Sequence, residues 1–361
     1  MRRSDVDIYG LVDDISRHDV AAPLILAENV GAVPALSSYL DSPPRSVPHA
    51  RLFAVSMLAA IPGTQATVAL RRALQRHDLH TLSPAVEDSE WLVQNAVFAA
   101  LIQRLGPEIA TEIDYGLYKA RLPAAADAVG QFALTAHIPA LIEALSDDIL
   151  GEPARAAIAQ LGVLVVPLLI EALKRHDTDV SSLKRAIAAA DILSQFSTDE
   201  SVDPLEKLLS GAHPALSGAA ALALFEQRAN DPPPPLVVAL TCGTLLPNAA
   251  LAERCLDVLD TLPPRALLDA ASSALALEYM PNLYDVPCSV TELARARLLA
   301  SLLRRSDIDA TQIIERASDF VLLAALRKLK VPPSEAGIDA LNRHPNSRVR
   351  KAAARIVSHG K

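Results

Sequence analysis

The chain has 361 residues, enough for two or three ordinary domains or one long repeat array. Half of it is hydrophobic (51%) but only 4% is aromatic, so Ala and Leu must fill the core, and such small unbranched side chains suit closely packed helices. A net charge of −8 argues against a dedicated binder of the nucleic-acid backbone, and three cysteines without a CxxC pair exclude a disulfide framework and fit a reducing compartment.

Ser4, with Asp7 three residues on, resembles a capping box that opens a first helix to about Arg17. A second helix over Val20–Val30 is expected to stop at Gly31, and Pro34 opens Ala35 to Leu40. Helices follow at Pro48–Ile61 and Thr67–His77. Leu79 to Ser89 reads as a polar, proline-containing insertion, the first connection long enough to be a functional loop. Trp91 to Leu105 is a helix ended by Gly106-Pro107, followed by Glu108–Arg121 and Ala124–Ala133.

The next stretch states one motif twice. Pro139-Ala140-Leu141-Ile142-Glu143-Ala144-Leu145 recurs as Pro167-Leu168-Leu169-Ile170-Glu171-Ala172-Leu173, 167 − 139 = 28 residues later. An Ala-rich helical pattern, Glu152 to Leu161 closed by Gly162, lies between the copies. The unit is helix, short turn, helix. Val180–Phe196 and Asp203–Leu209 form another pair, with Pro204 in the opening place, and Pro214–Arg228 is Ala-rich. Pro232 to Pro235 makes residues 230–235 the stiffest break and the best place for any subdivision. Pairs resume at Asn248–Leu262 and Arg265–Met280, Pro281–Ser289 reads as an exposed loop, and five helices complete the chain from Thr291 to Ser358. The whole gives about 22 helices in about 11 pairs, at roughly 28 to 45 residues per unit, the period of helical solenoids.

A second register repeats an Arg before a small or apolar run: Arg51-Leu52-Phe53-Ala54, Arg155-Ala156-Ala157, Arg185-Ala186-Ile187, Arg254-Cys255-Leu256, Arg297-Leu298-Leu299 and Arg350-Lys351-Ala352. Together with the proline-opened helix, this pattern resembles HEAT repeats, closest to the short bacterial class similar to the phycobilin lyases. The resemblance implies an all-α fold, an α-solenoid of stacked antiparallel helix pairs spanning residues 1–361, with the second helices forming a concave face. It also implies that the Arg supports stacking between units. Gln94 and Gly218 stand where that Arg would be, which interrupts any ladder.

Candidate chemistry is sparse. Arg-His-Asp occurs at Arg17-His18-Asp19, Arg76-His77-Asp78 and Arg175-His176-Asp177, either as a row of imidazoles or as cations suited to helix C-termini. His77 and His80 lack a third ligand, the Asp307-Ile308-Asp309 stretch lacks the Gly and Glu of a calcium loop, and no nucleophile-elbow, dinucleotide or phosphate-loop sequence is present. No catalytic residue, cofactor or metal is therefore nominated. Trp91, beside Asp88, is either a packing residue or, as in HEAT-like DNA glycosylases, part of a stacking surface. Basic residues gather near the end, as a solvated terminal cap or as a binding patch.

The sequence reading is a non-catalytic protein-interaction scaffold. Glu143, Glu171 and Glu206, which recur just after the motif Pro, are the candidate contact surface, and Trp91, Arg76, His77, Arg175 and His176 are secondary candidates. The expected partner is a protein with a basic patch; nucleic acid and membrane are not expected. The rival readings are a repair protein of the glycosylase type and a lyase-like enzyme. The segment Met1 to Asp7 has no apolar core, and the apolar run Val163–Ile170 is too short to span a bilayer, so a cytoplasmic setting is expected.

Overall fold

The computed structural model describes residues 7–14, 18–44, 47–74, 79–175, 179–196, 199–210, 213–227, 232–246, 249–262, 264–277, 279–281, 287–305, 307–308, 310–329 and 333–359. Contacts divide the chain into two units, Met1–Val165 and Val166–Lys361. The division falls directly before the second copy of the doubled motif. The helices on either side of residues 230–235 pack on each other and belong to one unit, and Pro234 starts the second of them.

The first unit contains α1 (Ile8–Asp13), α2 (His18–Glu28), α3 (Val33–Asp41), α4 (His49–Ala60), α5 (Thr64–Leu74), α6 (Pro84–Leu105), α7 (Pro123–Gln131), α8 (Ile138–Ala144) and α9 (Gly151–Leu161). One layer stacks α4, α6, α7 and α9 in succession. The other carries α3, α5, the helical segment 106–119 and α8. The second unit contains α10 (Val166–Lys174), α11 (Val180–Phe196), α12 (Asp199–Leu208), α13 (Pro214–Gln227), α14 (Pro234–Gly243), α15 (Ala249–Leu259) and α16 (Pro264–Leu275). It continues with α17 (Glu292–Arg304), α18 (Thr311–Arg316), α19 (Asp319–Lys328), α20 (Glu335–Arg343) and α21 (Ser347–His359). Here α11, α13, α15, α17, α19 and α21 stack in order, while α10 packs on α12, α14 on α16 and α18 on α20. Each unit is thus a stack of helices, most of them packed on a neighbour in sequence or on the helix two elements on.

Several boundaries differ from the sequence reading. Leu79–Ser89 is not a loop: α6 begins at Pro84, whose missing N–H costs nothing at the first helical position, and the acidic Glu87 suits that end. Gly31 does not stop a helix, since a 3-10 turn over Asn29–Ala32 leads straight into α3. Pro204 lies inside α12, which starts five residues earlier on the acidic turn of Asp199 and Glu200. The first helix is capped by Asp7, whose carboxylate accepts from the Gly10 amide at 3.1 Å; Ser4 lies outside the described residues. The expected loop at Pro281–Ser289 holds a two-stranded antiparallel ribbon, β1 (Tyr279–Pro281) against β2 (Pro287–Ser289). The helical stretches His18–Asp41 and Gly151–Lys174 are each 24 residues long and apolar enough to cross a membrane by length and composition alone. Core helices of soluble proteins pass that test too, and each stretch is broken by a 3-10 turn.

Small residues explain how so few aromatics suffice. Ala124, Ala125, Ala126 and Ala128 of α7 are all buried, and a Cβ added at Gly130 would come within 2.8 Å of the Ala157 Cα on α9. The same device recurs in the second unit. A Cβ at Gly218 would lie 3.5 Å from the Gly243 Cα, and one at Gly243 only 2.6 Å from the Cys255 sulfur. Burial there pushes the Cys255 thiol up to about 12, so it is a packing atom rather than a nucleophile. The motif leucines Leu141, Leu145, Leu169 and Leu173 are buried as their spacing predicts.

Helix ends are closed by arginines. Arg51, buried at the start of α4, donates to the Leu40 carbonyl at the end of α3 (2.9 Å) and pairs with the fully buried Glu90 of α6. Arg104 donates to the carbonyls of Leu58 (3.1 Å), Ala59 (3.0 Å), Ile61 (2.6 Å) and Gly63 (2.6 Å) at the end of α4. In the second unit Arg295 closes on Leu277, Arg305 on Leu259, and Arg350 on His344 and Pro345. At the interrupted positions, Ser217 donates to the Leu208 carbonyl at 2.8 Å, and Gln94 accepts from the Tyr115 hydroxyl at 2.9 Å.

Removing one partner of a buried ion pair strands the other charge. Glu90→Ala should therefore cost about 3–5 kcal/mol, and Arg51→Met with Glu90→Leu should cost clearly less, as measured by denaturant unfolding. Asp147 gives a pH test. Burial would raise its carboxyl, but the Arg121 guanidinium (2.6 Å) and the amides of Leu150 and Ile149 outweigh burial and hold it below the ordinary value. Its stabilisation is whole above the unfolded value of about 3.9 and is lost as pH falls through the lower folded value. Asp147→Asn should therefore lower stability at neutral pH and shrink the loss seen on acidification, read from urea midpoints at about pH 7 and about pH 3.

Candidate functional site

The three candidate glutamates do not share one unit. Glu143 is exposed on α8 in the first unit, whereas Glu171 on α10 and Glu206 on α12 lie on neighbouring helices of the second, both partly covered. Glu171 is engaged by Arg175 of its own helix end at 2.5 Å, an i,i+4 pair. That pair is also where Arg175 is placed. Arg76, His77 and His176 lie outside the described residues. The described member of the Arg-His-Asp set, His18, stacks on Phe53 with centroids 3.8 Å apart and hydrogen-bonds the Val12 carbonyl at 2.9 Å. Trp91 sits in the middle of α6, half-buried, and its indole N–H donates to the Arg121 carbonyl at 3.2 Å. Among the described residues no three His, Cys, Asp or Glu side chains gather as a metal site.

The layer containing α8 is stitched by two ion pairs and a hydrogen bond between successive helices. Arg72 of α5 pairs with Asp41 of α3 at 2.9 Å, Arg71 of α5 with Glu112 at 2.9 Å, and Asp114 with His137 at the head of α8 at 3.1 Å. Beside that last pair stands Tyr118, 61% exposed, on the π-helical turn Tyr115–Lys119. Burial first, then the carboxylates of Asp114 and Glu143, hold its phenol above the usual range. The exposed ring therefore faces solvent within the field of two acids, Asp114 just before its own turn and Glu143 on α8, which packs on that turn. Sequence alone gave no signal for Tyr118, because nothing in residues 108–121 announces a π turn that re-aims a side chain.

A cleft of about 290 Å³ lies in the second unit, lined in part by Arg295 and Arg316 beside the start of α19. At the chain's end, α21 exposes Arg348, Lys351 and Arg355 along one face. Residues 327–361 carry nine Lys and Arg against two acids, so the remainder of the chain is more acidic than the net charge suggests.

Neither a protein-family model nor a curated protein matches the chain. The chain is similar to an engineered protein of known crystal structure, a structural-genomics target, at 17% identity over 99% of this chain and 96% of that one, with a TM-score of 0.34. So weak a likeness bears on neither fold nor function.

If Glu143 helps hold the phenol neutral, Glu143→Gln should bring Tyr118 ionisation down toward the ordinary value. The contributions of burial and Asp114 would remain. Titration of ring resonances in tyrosine-labelled protein checks this, and an unmoved Tyr118 would remove Glu143 from its surroundings.

Proposed function

We propose that this chain is a non-catalytic protein-binding scaffold of HEAT-like helix pairs. Its first unit recognises a basic side chain of a partner through Tyr118, Asp114 and Glu143. The observation that carries the reading is the exposed Tyr118 ring set within the field of two carboxylates. An aromatic face attracts a Lys or Arg cation, carboxylates complete its coordination, and Tyr is enriched among residues that dominate interface energies. The surrounding layer supports it, since its other charges are tied to one another and hold these groups in place. An acidic surface would also speed encounter with a basic partner and reject acidic ones. Glu171 and Glu206 would form a separate acidic strip on the second unit.

The test uses Tyr118→Ala and Glu143→Lys singly, and Glu171→Lys with Glu206→Lys as a separate variant. Partner capture from native lysate is compared at low and high salt, with helicity followed by circular dichroism. Loss of capture in the first two variants at unchanged helicity is the expected result. Capture that survives both at low salt would sink the placement on the first unit, and loss only in the third would move the site to the second.

The basic face of α21 favours one other reading, binding to a nucleic-acid backbone. Duplex binding that weakens steeply with salt and disappears in an Arg348→Ala, Lys351→Ala, Arg355→Ala variant would favour that reading over the scaffold.

A further inference from the structure

We propose that the cleft in the second unit binds a carboxylate carrying a short apolar tail. The cleft opens between the end of α16, α17, the end of α18 and the start of α19, and its volume of about 290 Å³ suits a small ligand or a single terminal residue rather than a nucleotide. Two guanidinium groups line it. Arg295 is half-buried, with one terminal nitrogen fixed on the Leu277 carbonyl at 2.6 Å and its Nε buried without a hydrogen-bond partner. Other arginines bury Nε in the same way, so that atom alone singles out nothing; what distinguishes Arg295 is that it lines a cleft. Arg316 is exposed and meets no carboxylate among the described residues. The nearest acid on α19, Asp319, is turned to Asn346 (2.6 Å) and stands 3.8 Å from His344.

Both cations therefore line the cleft without an ion-paired carboxylate among the described residues. The start of α19 adds to the same sign. Ser318 accepts from the Val321 amide at 3.3 Å, while the amides of the first turn have no intrahelical acceptor and form the positive end of the helix dipole. A planar carboxylate matches the guanidinium fork, which can donate two parallel hydrogen bonds. Leu275, Ile313 and Val321 provide an apolar wall that an inorganic anion would leave uncovered. The shared chemistry is an anionic carboxylate next to a few methylenes. A free short-chain acid and the C-terminal residue of a polypeptide both present it.

The experiment is calorimetric titration of the full chain with sodium hexanoate, N-acetylleucine, N-acetylleucinamide and inorganic phosphate. One or both carboxylates should bind at one site, hexanoate more tightly if the natural ligand is a free acid and N-acetylleucine more tightly if it is a chain terminus. Arg316→Ala should weaken that binding about tenfold, the loss expected for one charge-assisted hydrogen bond. Arg327→Ala should leave it unchanged. Arg316 is exposed and makes no ion pair with the other described residues, so circular dichroism of Arg316→Ala should match the parent. The proposal is overturned if neither carboxylate binds, if phosphate or the amide binds as tightly, or if Arg316→Ala binds like the parent.

Discussion

The guanidinium groups of Arg51, Arg104, Arg295, Arg305 and Arg350 all donate to carbonyls at the ends of other helices. Every helix leaves its last four carbonyls without an intrahelical donor. In α4, with 12 residues, that is a third of the helix. A chain built from many short helices therefore has an unusual number of orphaned acceptors, and its short connections keep many of them away from water. Arginine meets the need because it carries five donors in a rigid fork and keeps its charge at any relevant pH. Arg104 reaches four carbonyls at once, which lysine could not do. Because Arg104 leaves the end of α6 and closes the end of α4, it also fixes those two helices parallel, the relation that equivalent helices of adjacent pairs must have.

This use of cations reshapes the surface. The donors of these arginines are engaged by carbonyls, and Arg51 is also answered by the fully buried Glu90, so part of the positive charge is taken up inside the stack. In the first unit the ion pairs and the hydrogen bond linking α3, α5, the 106–119 segment and α8 hold acids on the layer that carries Tyr118. The positive charge left over is concentrated in residues 327–361, where α21 exposes Arg348, Lys351 and Arg355. A formal net charge of −8 conceals both features.

The repeat was legible because its signals are local. Proline at the first turn, glycine at the end and leucines at helical spacing each act within one helix, and the buried Leu141, Leu145, Leu169 and Leu173 follow from them. The misplaced boundaries have different causes. Pro204 resembles a helix start but is internal, because α12 already begins on the acidic turn before it, whereas Pro84 reads as part of a polar loop but starts α6. The sites were much less legible. Tyr118 gains its setting from a π turn and from Glu143, 143 − 118 = 25 residues away, and the cleft joins residues from four helices. Neither juxtaposition has a sequence period, so no pattern in the chain could announce it.

The positions where the arginine register fails show how the same constraint is met by other means. At α13 the expected Arg is replaced by Gly218. The neighbouring Ser217 takes the Leu208 carbonyl in its place, and the missing side chain lets α13 approach Gly243 of α14 closely. At α6 the corresponding place is Gln94, fully buried, whose side-chain oxygen accepts from the Tyr115 hydroxyl. Stacked helix pairs tolerate such exchanges because each pair answers only to its neighbours, so a changed solution need not propagate. The same locality bears on function. Tyr115, held by Gln94, belongs to the π turn that presents Tyr118. The interrupted position and the segment that carries the exposed aromatic are therefore joined by one hydrogen bond.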